Sequence, residues 1–342
     1  MQNLTIKGKS GDSQITFSGS SETIWNFNFD SEIVIITDDN LFRNYEYNLE
    51  NFRVIVIPNG EENKTSSTLT YIYDQLINYG ADRKTVLIGL GGGVVTDIAG
   101  FVASTFMRGL KFGFIPTSLL AMIDASIGGK NGVNHENYKN MIGTITQPDF
   151  VMIEPDFLRT LPSAEMTNGF AEAIKHLLIS DKRGFEKFDE IIKNFNLFNR
   201  AEIMDFLFNQ IRIKTEIVNK DEHESGERKK LNFGHTFGHP LETLTGLKHG
   251  FSVSIGMVIA AKISQHHGFL NESDVKIISG TLQTSGLPVK YDFNKDKVLE
   301  LITGDKKKNK DHIDFIMLKQ IGEAIIAPVK IEELAKIFLE FN

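Results

Sequence analysis

The sequence predicts an α/β N-terminal domain on a parallel, Rossmann-like sheet, joined to a mainly α-helical C-terminal domain. Three observations carry this prediction. Short β-branched runs alternate with helically spaced segments up to Pro116. After about Pro155 the pattern is almost wholly helical, with one late hairpin. At 342 residues the chain is long enough for two cores of ordinary size.

Taken in order, Ile33–Thr37 and Val54–Ile57 are β-branched runs of buried-strand type, each closed by polar turn residues. Thr65–Tyr79 has helical spacing and stops at Gly80. Thr85–Leu90 reads as a strand, a glycine cluster follows, and Val94–Met107 reads as a helix. Lys111–Ile115 is a further strand, ended by Pro116. Strand and helix in strict alternation argue for a parallel sheet wound with helices. Beyond the boundary, Ser163–Ser180, Phe185–Phe195, Ala201–Lys220, Gly234–Leu244, Val253–His267 and Ser273–Ser285 are helical in period. Ile313–Leu318 and Ala324–Ala327 form the expected hairpin. The expected domains are therefore residues 1–155 and 156–342.

The apolar share of 41% and charged share of 24% are those of a soluble globular protein. A formal charge of −7 gives no basic face for nucleic acid. The chain has no cysteine, which excludes disulfides and thiolate metal ligands and suits a reducing compartment. The N-terminal MQNLTIKGKSGDS has no signal-peptide core, and no run approaches a membrane span. A cytoplasmic location is the expectation.

Gly89-Leu-Gly91-Gly92-Gly93-Val94-Val95-Thr96-Asp97 stands between a strand and a helix. Glycines there let the backbone turn tightly and approach a phosphate, while free N–H groups at the helix start attract its charge. Val94 occupies the third-glycine position of the dinucleotide fingerprint, and a tight turn without ligand reads the same way. Asp38 and Asn40 follow the first strand, and Gly60, Glu61 and Lys64 follow the second. Polar or glycine-rich groups thus end three consecutive strands, which suits a nucleotide lying across that edge. Downstream, Arg108, Asp124, Lys130, Lys139 and Asn140 flank a Gly128-Gly129 turn. Such cations can hold a phosphoester, although a surface loop with scattered charges has the same composition.

In Leu231-Asn232-Phe233-Gly234-His235-Thr236-Phe237-Gly238-His239 two histidines stand four apart. On a helix that places them about 40° apart around the axis and about 6 Å along it, on one face. His249 follows in Lys248-His249-Gly250, and Glu172 sits on an otherwise apolar helix face near Lys175. Without cysteine, a catalytic metal site draws on histidine and carboxylate, three ligands with one open position. Spacing alone does not say which three of these four groups are the ligands.

In order along the chain, GGGVVTD, FMRGLKF, IPTSLLAMIDASIGGK, KNMIG, FLRTLP, NGFAEAIKH, DEHESGERKKLNFGHTFGH, KHG and DKK resemble the 3-dehydroquinate synthase family of the shikimate pathway. The similarity runs from about Ile35 to Leu318 and implies a dehydroquinate synthase-like fold. By that resemblance Glu172, His235 and His249 are metal ligands, for zinc or alternatively cobalt. His239 matches a proton-transfer residue and Glu224 an acid/base residue; Lys130, Asn140 and Arg108 join them as catalytic groups. Asp124, Asn168, Lys175, Lys214, Arg228, Asn232 and one of Lys306 and Lys307 match substrate contacts. Asp38, Asn40, Glu61, Lys64, Gly91, Gly92, Gly93, Asp97, Thr117, Ser118, Lys139 and Thr160 match NAD contacts.

The resemblance also implies the reaction. The substrate is 3-deoxy-D-arabino-heptulosonate 7-phosphate, and NAD oxidises its hydroxyl at carbon five. Phosphate is then eliminated and the ketone reduced back. Ring opening and an internal aldol closure give 3-dehydroquinate. A homodimer is the expected assembly. Three positions depart from the family pattern: Asn131 where threonine is usual, Pro240 in place of a small residue, and Phe251 where glutamate is frequent. None replaces an expected ligand or cation. They admit a related cyclase acting on another sugar phosphate, and a metal-dependent polyol dehydrogenase is the more distant alternative.

Overall fold

The computed structural model describes residues 3–20, 23–25, 31–136, 138–304 and 311–341. Internal contacts divide the chain into two units, residues 1–162 with 207–222, and residues 163–206 with 223–342. The sequence expectation put a single break near 155; the contacts group the later segment 207–222 with the first unit. No helix among the described residues is long and apolar enough to cross a membrane.

The first unit holds β1 (Leu4–Ile6), β2 (Ser13–Phe17), β3 (Ile33–Asp38), β4 (Arg53–Ile57), β5 (Val86–Gly91) and β6 (Lys111–Pro116). A hairpin of β7 (Lys130–His135) and β8 (Tyr138–Ile145) follows, then β9 (Phe150–Ile153). Seven strands form one sheet in the order β1-β2-β9-β6-β5-β3-β4, parallel throughout except for the β1–β2 pair. The central strands β3 and β5 are buried on both faces, so they read as unbroken apolar runs. Helices α1 (Asp39–Leu49), α2 (Ser66–Asn78) and α3 (Gly93–Thr105) connect them. Thr65 caps α2 by accepting the Thr68 N–H, and the helix buries Leu69, Ile72 and Leu76. The chain leaves β3 for β4 on one side and crosses back to β5 on the other. The switch point of the sheet therefore lies between β3 and β5, where open α/β sheets bind ligands.

The second unit is built on α4 (Ser163–Ser180), α5 (Lys182–Glu186), α6 (Phe188–Asn196), α7 (Arg200–Lys220), α8 (His235–Thr245) and α9 (His249–His266). α7 passes from this unit's residues into the segment counted with the first. α10 (Glu272–Thr284), α11 (Lys295–Gly304) and α12 (Ile331–Glu340) complete the helices, and β10 (His312–Gln320) pairs antiparallel with β11 (Glu323–Lys330). α4 and α9 are buried nearly all round, which is why neither shows a clean amphipathic stripe. An aromatic core of Phe170, Phe188, Phe195 and Phe206 meets edge to face around α4 and α6.

Two local differences from the sequence expectation matter for the site. The helix expected through Met107 stops at Thr105, and Met107 and Arg108 take positive φ ahead of Gly109. The helix expected to begin at Val253 begins at His249, because its first turn packs on α4 where Gly250 allows close approach.

Candidate active site

The helical unit gathers the metal-ligating types. Glu172 and Lys175 project from α4, His235 and His239 from α8, and His249 opens α9. Glycine lets these helices meet. A Cβ on Gly256 would lie 2.0 Å from the Gly234 carbonyl oxygen, and one on Gly250 would lie 2.2 Å from that of Asn168. The Asn168 Oδ1 also accepts the Gly250 N–H at 2.7 Å, pinning the start of α9 to α4.

The result is a compact cluster. One ligand atom each of Glu172, His235 and His249 lies within 4.8 Å of the others. His249 Nε2 stands 3.2 Å from Glu172 Oε1 and His235 Nε2 stands 3.6 Å from the same oxygen. The second oxygen, Oε2, is engaged by the buried Lys175 ammonium. His235 Nδ1 faces the Phe233 carbonyl at 3.2 Å, which makes it the donor and leaves Nε2 with a lone pair toward Glu172. Burial, reinforced by the Lys175 ammonium, holds the His235 pKa well below its ordinary value, so this ring is neutral. Burial opposes charge on His249 too, but hydrogen bonds with Glu172 and Glu242 outweigh it and push that pKa up to about 10. The donor set fits a divalent metal with two imidazoles and one carboxylate. The exposed His239 ring lies 4.9 Å from the ring of His235, centroid to centroid, but its nitrogens are not part of the cluster. Glu242 escaped the sequence reading. Its signal was its place seven residues, two helical turns, after His235, which puts it on the same face of α8.

The sheet unit aligns the other set. Asp38 ends β3 and caps α1, its Oδ1 accepting from the Leu41 N–H at 2.9 Å, and burial raises its pKa. Glu61 and Lys64 follow β4; Gly91 ends β5, and Gly92 and Gly93 follow it; Thr117 and Ser118 follow β6. Because β4, β3, β5 and β6 are parallel neighbours, all these groups share the carboxyl edge and span the switch point. Thr117 N–H donates to Gly91 O at 2.9 Å, tying two of the turns together. Lys64 is buried, with its ammonium on Asp97 of α3 and on Asn140 Oδ1 of β8. Asn134 Nδ2 donates to Glu61 Oε1 at 2.8 Å, and its Oδ1 accepts from the Asn140 N–H at 2.9 Å. Asn40, Lys139 and Thr160 are exposed, Thr160 capping the short 3-10 turn Pro155–Arg159 that follows β9.

The family model described as 3-dehydroquinate synthase N-terminal matches residues 54–168, and the one described as 3-dehydroquinate synthase C-terminal matches residues 169–308. This chain belongs to the 3-dehydroquinate synthase family. A 3-dehydroquinate synthase from Pyrococcus abyssi is 44% identical over 290 residues, 84% of this chain and 85% of that protein. One from Campylobacter hominis is 44% identical over 274 residues, 79% and 78% of the two. Among solved structures, a 2-epi-5-epi-valiolone synthase from Streptomyces hygroscopicus, with NAD+ and Zn2+ bound, superposes with a TM-score of 0.87 at 26% identity, covering 97% of each chain. A 2-deoxy-scyllo-inosose synthase complexed with carbaglucose-6-phosphate, NAD+ and Co2+ gives 0.85 at 25% identity, covering 98% and 99%. A probable glycerol dehydrogenase from Sinorhizobium meliloti shares the fold at 14% identity and TM-score 0.60, covering 90% and 89%.

The remaining family-matched groups fall on both units. In the sheet unit Lys214 Nζ donates to both the Asp124 carboxylate and its carbonyl at 2.6 Å. Arg108 and Lys130 are exposed, and Asn140 sits on β8 at φ +50°. In the helical unit Arg228 is buried, and Asn232 donates to Glu224, which sits at φ +59°. Glu224 and Asn232 line a cavity of about 380 Å³ with His223, Lys229, Ile313, Asp314 and Ile316. Lys229, ion-paired to Asp314 at 2.7 Å, joins that lining without having been singled out from sequence. Lys306 and Lys307 lie outside the described residues.

The three departures acquire physical accounts. Asn131 is buried, donating to the Gly129 and Thr146 carbonyls at 2.9 and 3.0 Å over Gly100, so it shapes the hairpin rather than a ligand surface. α8 runs through Pro240 with helical backbone, only one donor being lost. Phe251 is apolar, and the carboxylate facing His249 Nδ1 comes from Glu242 instead.

Proposed function

We propose that this chain catalyses the 3-dehydroquinate synthase reaction, a carbon–oxygen lyase step that converts 3-deoxy-D-arabino-heptulosonate 7-phosphate to 3-dehydroquinate and phosphate. The observation that carries this reading is the convergence of Glu172, His235 and His249 in a chain 44% identical to family relatives over most of its length. NAD and zinc, or cobalt, are its cofactors, as in the two solved cyclases. When bound, they supply a hydride acceptor and a Lewis acid for the hydroxyl at carbon five.

The chain's own residues do the rest. Glu172, His235 and His249 hold the metal, with Lys175 on Glu172 Oε2 leaving Oε1 toward the histidines. His239, exposed beside His235, moves a proton, and Glu224, held by Asn232, acts as acid or base. Arg108, Lys130 and Asn140 act on the phosphoester as catalytic groups, cations stabilising charge on the departing phosphate. Asp124, Asn168, Lys175, Lys214, Arg228, Asn232 and Lys306 or Lys307 hold the sugar acid. The carboxyl edge of the sheet, with Asp38, Asn40, Glu61, Lys64, Gly91 to Gly93, Asp97, Thr117, Ser118, Lys139 and Thr160, holds NAD. Residues 1–155 form the NAD-binding domain and 156–342 the metal- and substrate-binding domain, except that the segment 207–222, with Lys214, groups with the first unit. The enzyme works in the cytoplasm as a homodimer, without nucleic-acid or membrane partners.

The solved cyclases that make other carbocycles are 25–26% identical, well below the 3-dehydroquinate synthases, which favours dehydroquinate as product. The test is incubation with the heptulosonate phosphate, NAD and zinc. Phosphate and dehydroquinate should appear in equal amounts by mass spectrometry, with no NADH accumulating. Net NADH formation from a simple polyol, with no phosphate released from the sugar, would overturn the assignment.

A further inference from the structure

The two metal-facing histidines are held in opposite ways. His235 has its Nδ1 on a main-chain carbonyl, that of Phe233, at 3.2 Å. His249 has its Nδ1 on a side-chain carboxylate, Glu242 Oε2, also at 3.2 Å. We propose that Glu242 is the positioning residue of the metal centre: it takes the Nδ1 proton of His249, fixing the tautomer and ring angle that present Nε2 to the metal.

The fold makes this contact specific. Glu242 stands two turns after His235 on α8, so one helix face supplies both a ligand and the carboxylate that orients the next ligand. The side chain of Glu242 is 8% exposed, and a carboxylate is buried to that degree only where it is held by hydrogen bonds or charge. The opposite ring nitrogen of His249 is 3.2 Å from Glu172 Oε1, so the imidazole stands between two carboxylates. A free imidazole ring exchanges tautomers, and only the Nδ1–H form leaves the Nε2 lone pair on the metal side. A carboxylate on the far nitrogen selects that form and makes Nε2 a better donor. Phe251, on α9 itself, has no group that could do so, so the task falls to α8.

The proposal rests on the metal reading of Glu172, His235 and His249, and the experiment separates the two. Zinc affinity of the full-length, metal-depleted protein is measured by chelator competition for the native chain and for Glu242→Ala and Glu242→Gln. The cobalt-loaded absorption spectrum reports the ligand field, and the melting of each metal-free form controls for folding. Glu242→Ala should weaken zinc by about 10–100-fold and change the cobalt spectrum. Glu242→Gln, nearly the same shape and still able to accept from Nδ1–H, should bind between the two and keeps the test valid should the alanine variant fold poorly. Native-like affinity and spectrum in folded Glu242→Gln and Glu242→Ala would overturn the positioning role while leaving the metal site standing. A native chain that binds no metal would overturn the metal reading and the proposal with it.

Discussion

The two glycine-rich segments of this chain solve opposite problems. At the end of β5 the glycines serve a turn: a Cβ on Gly91 would lie 2.6 Å from Val95, while one on Gly92 would meet only Ser118 Oγ, at 3.5 Å. The turn must be tight, yet Gly92 has room, so its lack of a side chain leaves backbone N–H groups open to a ligand. In the LNFGHTFGH block the glycines serve helix crossing instead. Gly234, at φ +82°, would press a Cβ to 2.6 Å from Met257, and Gly238 to 3.0 Å from Val253. Their partner Gly256 lies on α9, beyond the reach of any local pattern. Clusters that look alike in sequence therefore differ in kind, one local and chemical, the other tertiary and steric.

That contrast is open to attack, starting where the effect is largest. Gly256→Ala puts a methyl 2.0 Å from the carbonyl oxygen of Gly234, the N-cap of α8, which is held in place by accepting the Gly238 N–H. It should destabilise the helical unit by about 3 kcal/mol and cost metal affinity as well, by denaturant melts and zinc titration. An unchanged melt would mean the α8–α9 contact is looser than described.

The next test divides the histidines of the same block. His235→Ala should lose bound metal and phosphate release together, while His239→Ala should keep the metal and lose turnover by about 10²–10⁴-fold. Full metal occupancy in His235→Ala would show that the ligand set is wrong.

A pH series is gentler. His249 in the metal-free protein keeps its proton up to about 10, so a metal must displace it. Zinc affinity should therefore rise with pH above neutrality, by up to about tenfold per unit. The sign for folding runs the other way. Because the folded pKa is raised, the stabilisation from charged His249 is complete below the unfolded value of 6.5 and is lost as pH climbs toward about 10. Zinc affinity that stays flat between neutral and alkaline pH would refute the charged state of His249.

The smallest effect belongs to the turn. Gly92 has φ −73° and ψ −172°, which alanine adopts freely, so Gly92→Ala should leave stability unchanged or raise it by about 0.5 kcal/mol. NAD binding, followed by fluorescence titration, should weaken at constant zinc affinity. Unaltered NAD affinity would move the nucleotide away from this turn.

The sequence by itself determined the elements whose signals are local. The β-branched runs of β3, β4 and β5, the capped α2 and the glycine turn stand within a residue of their expected places, and the late β10–β11 hairpin within three. The histidine pair on α8 was equally legible, because helical spacing alone puts both on one face. The hairpin of β7 and β8 was not. Its residues compose a polar, glycine-containing loop, and pairing is decided by contacts such as Asn131 with the Thr146 carbonyl. The start of α9 was hidden for the same reason, since Gly250 reads locally as a helix breaker and is needed for packing against Asn168. Only the tertiary structure could draw Glu172, His235 and His249 together from three helices and set Glu242 behind the last of them. Those distances depend on how closely helices pack, and packing is a property of side-chain volumes far apart in the chain.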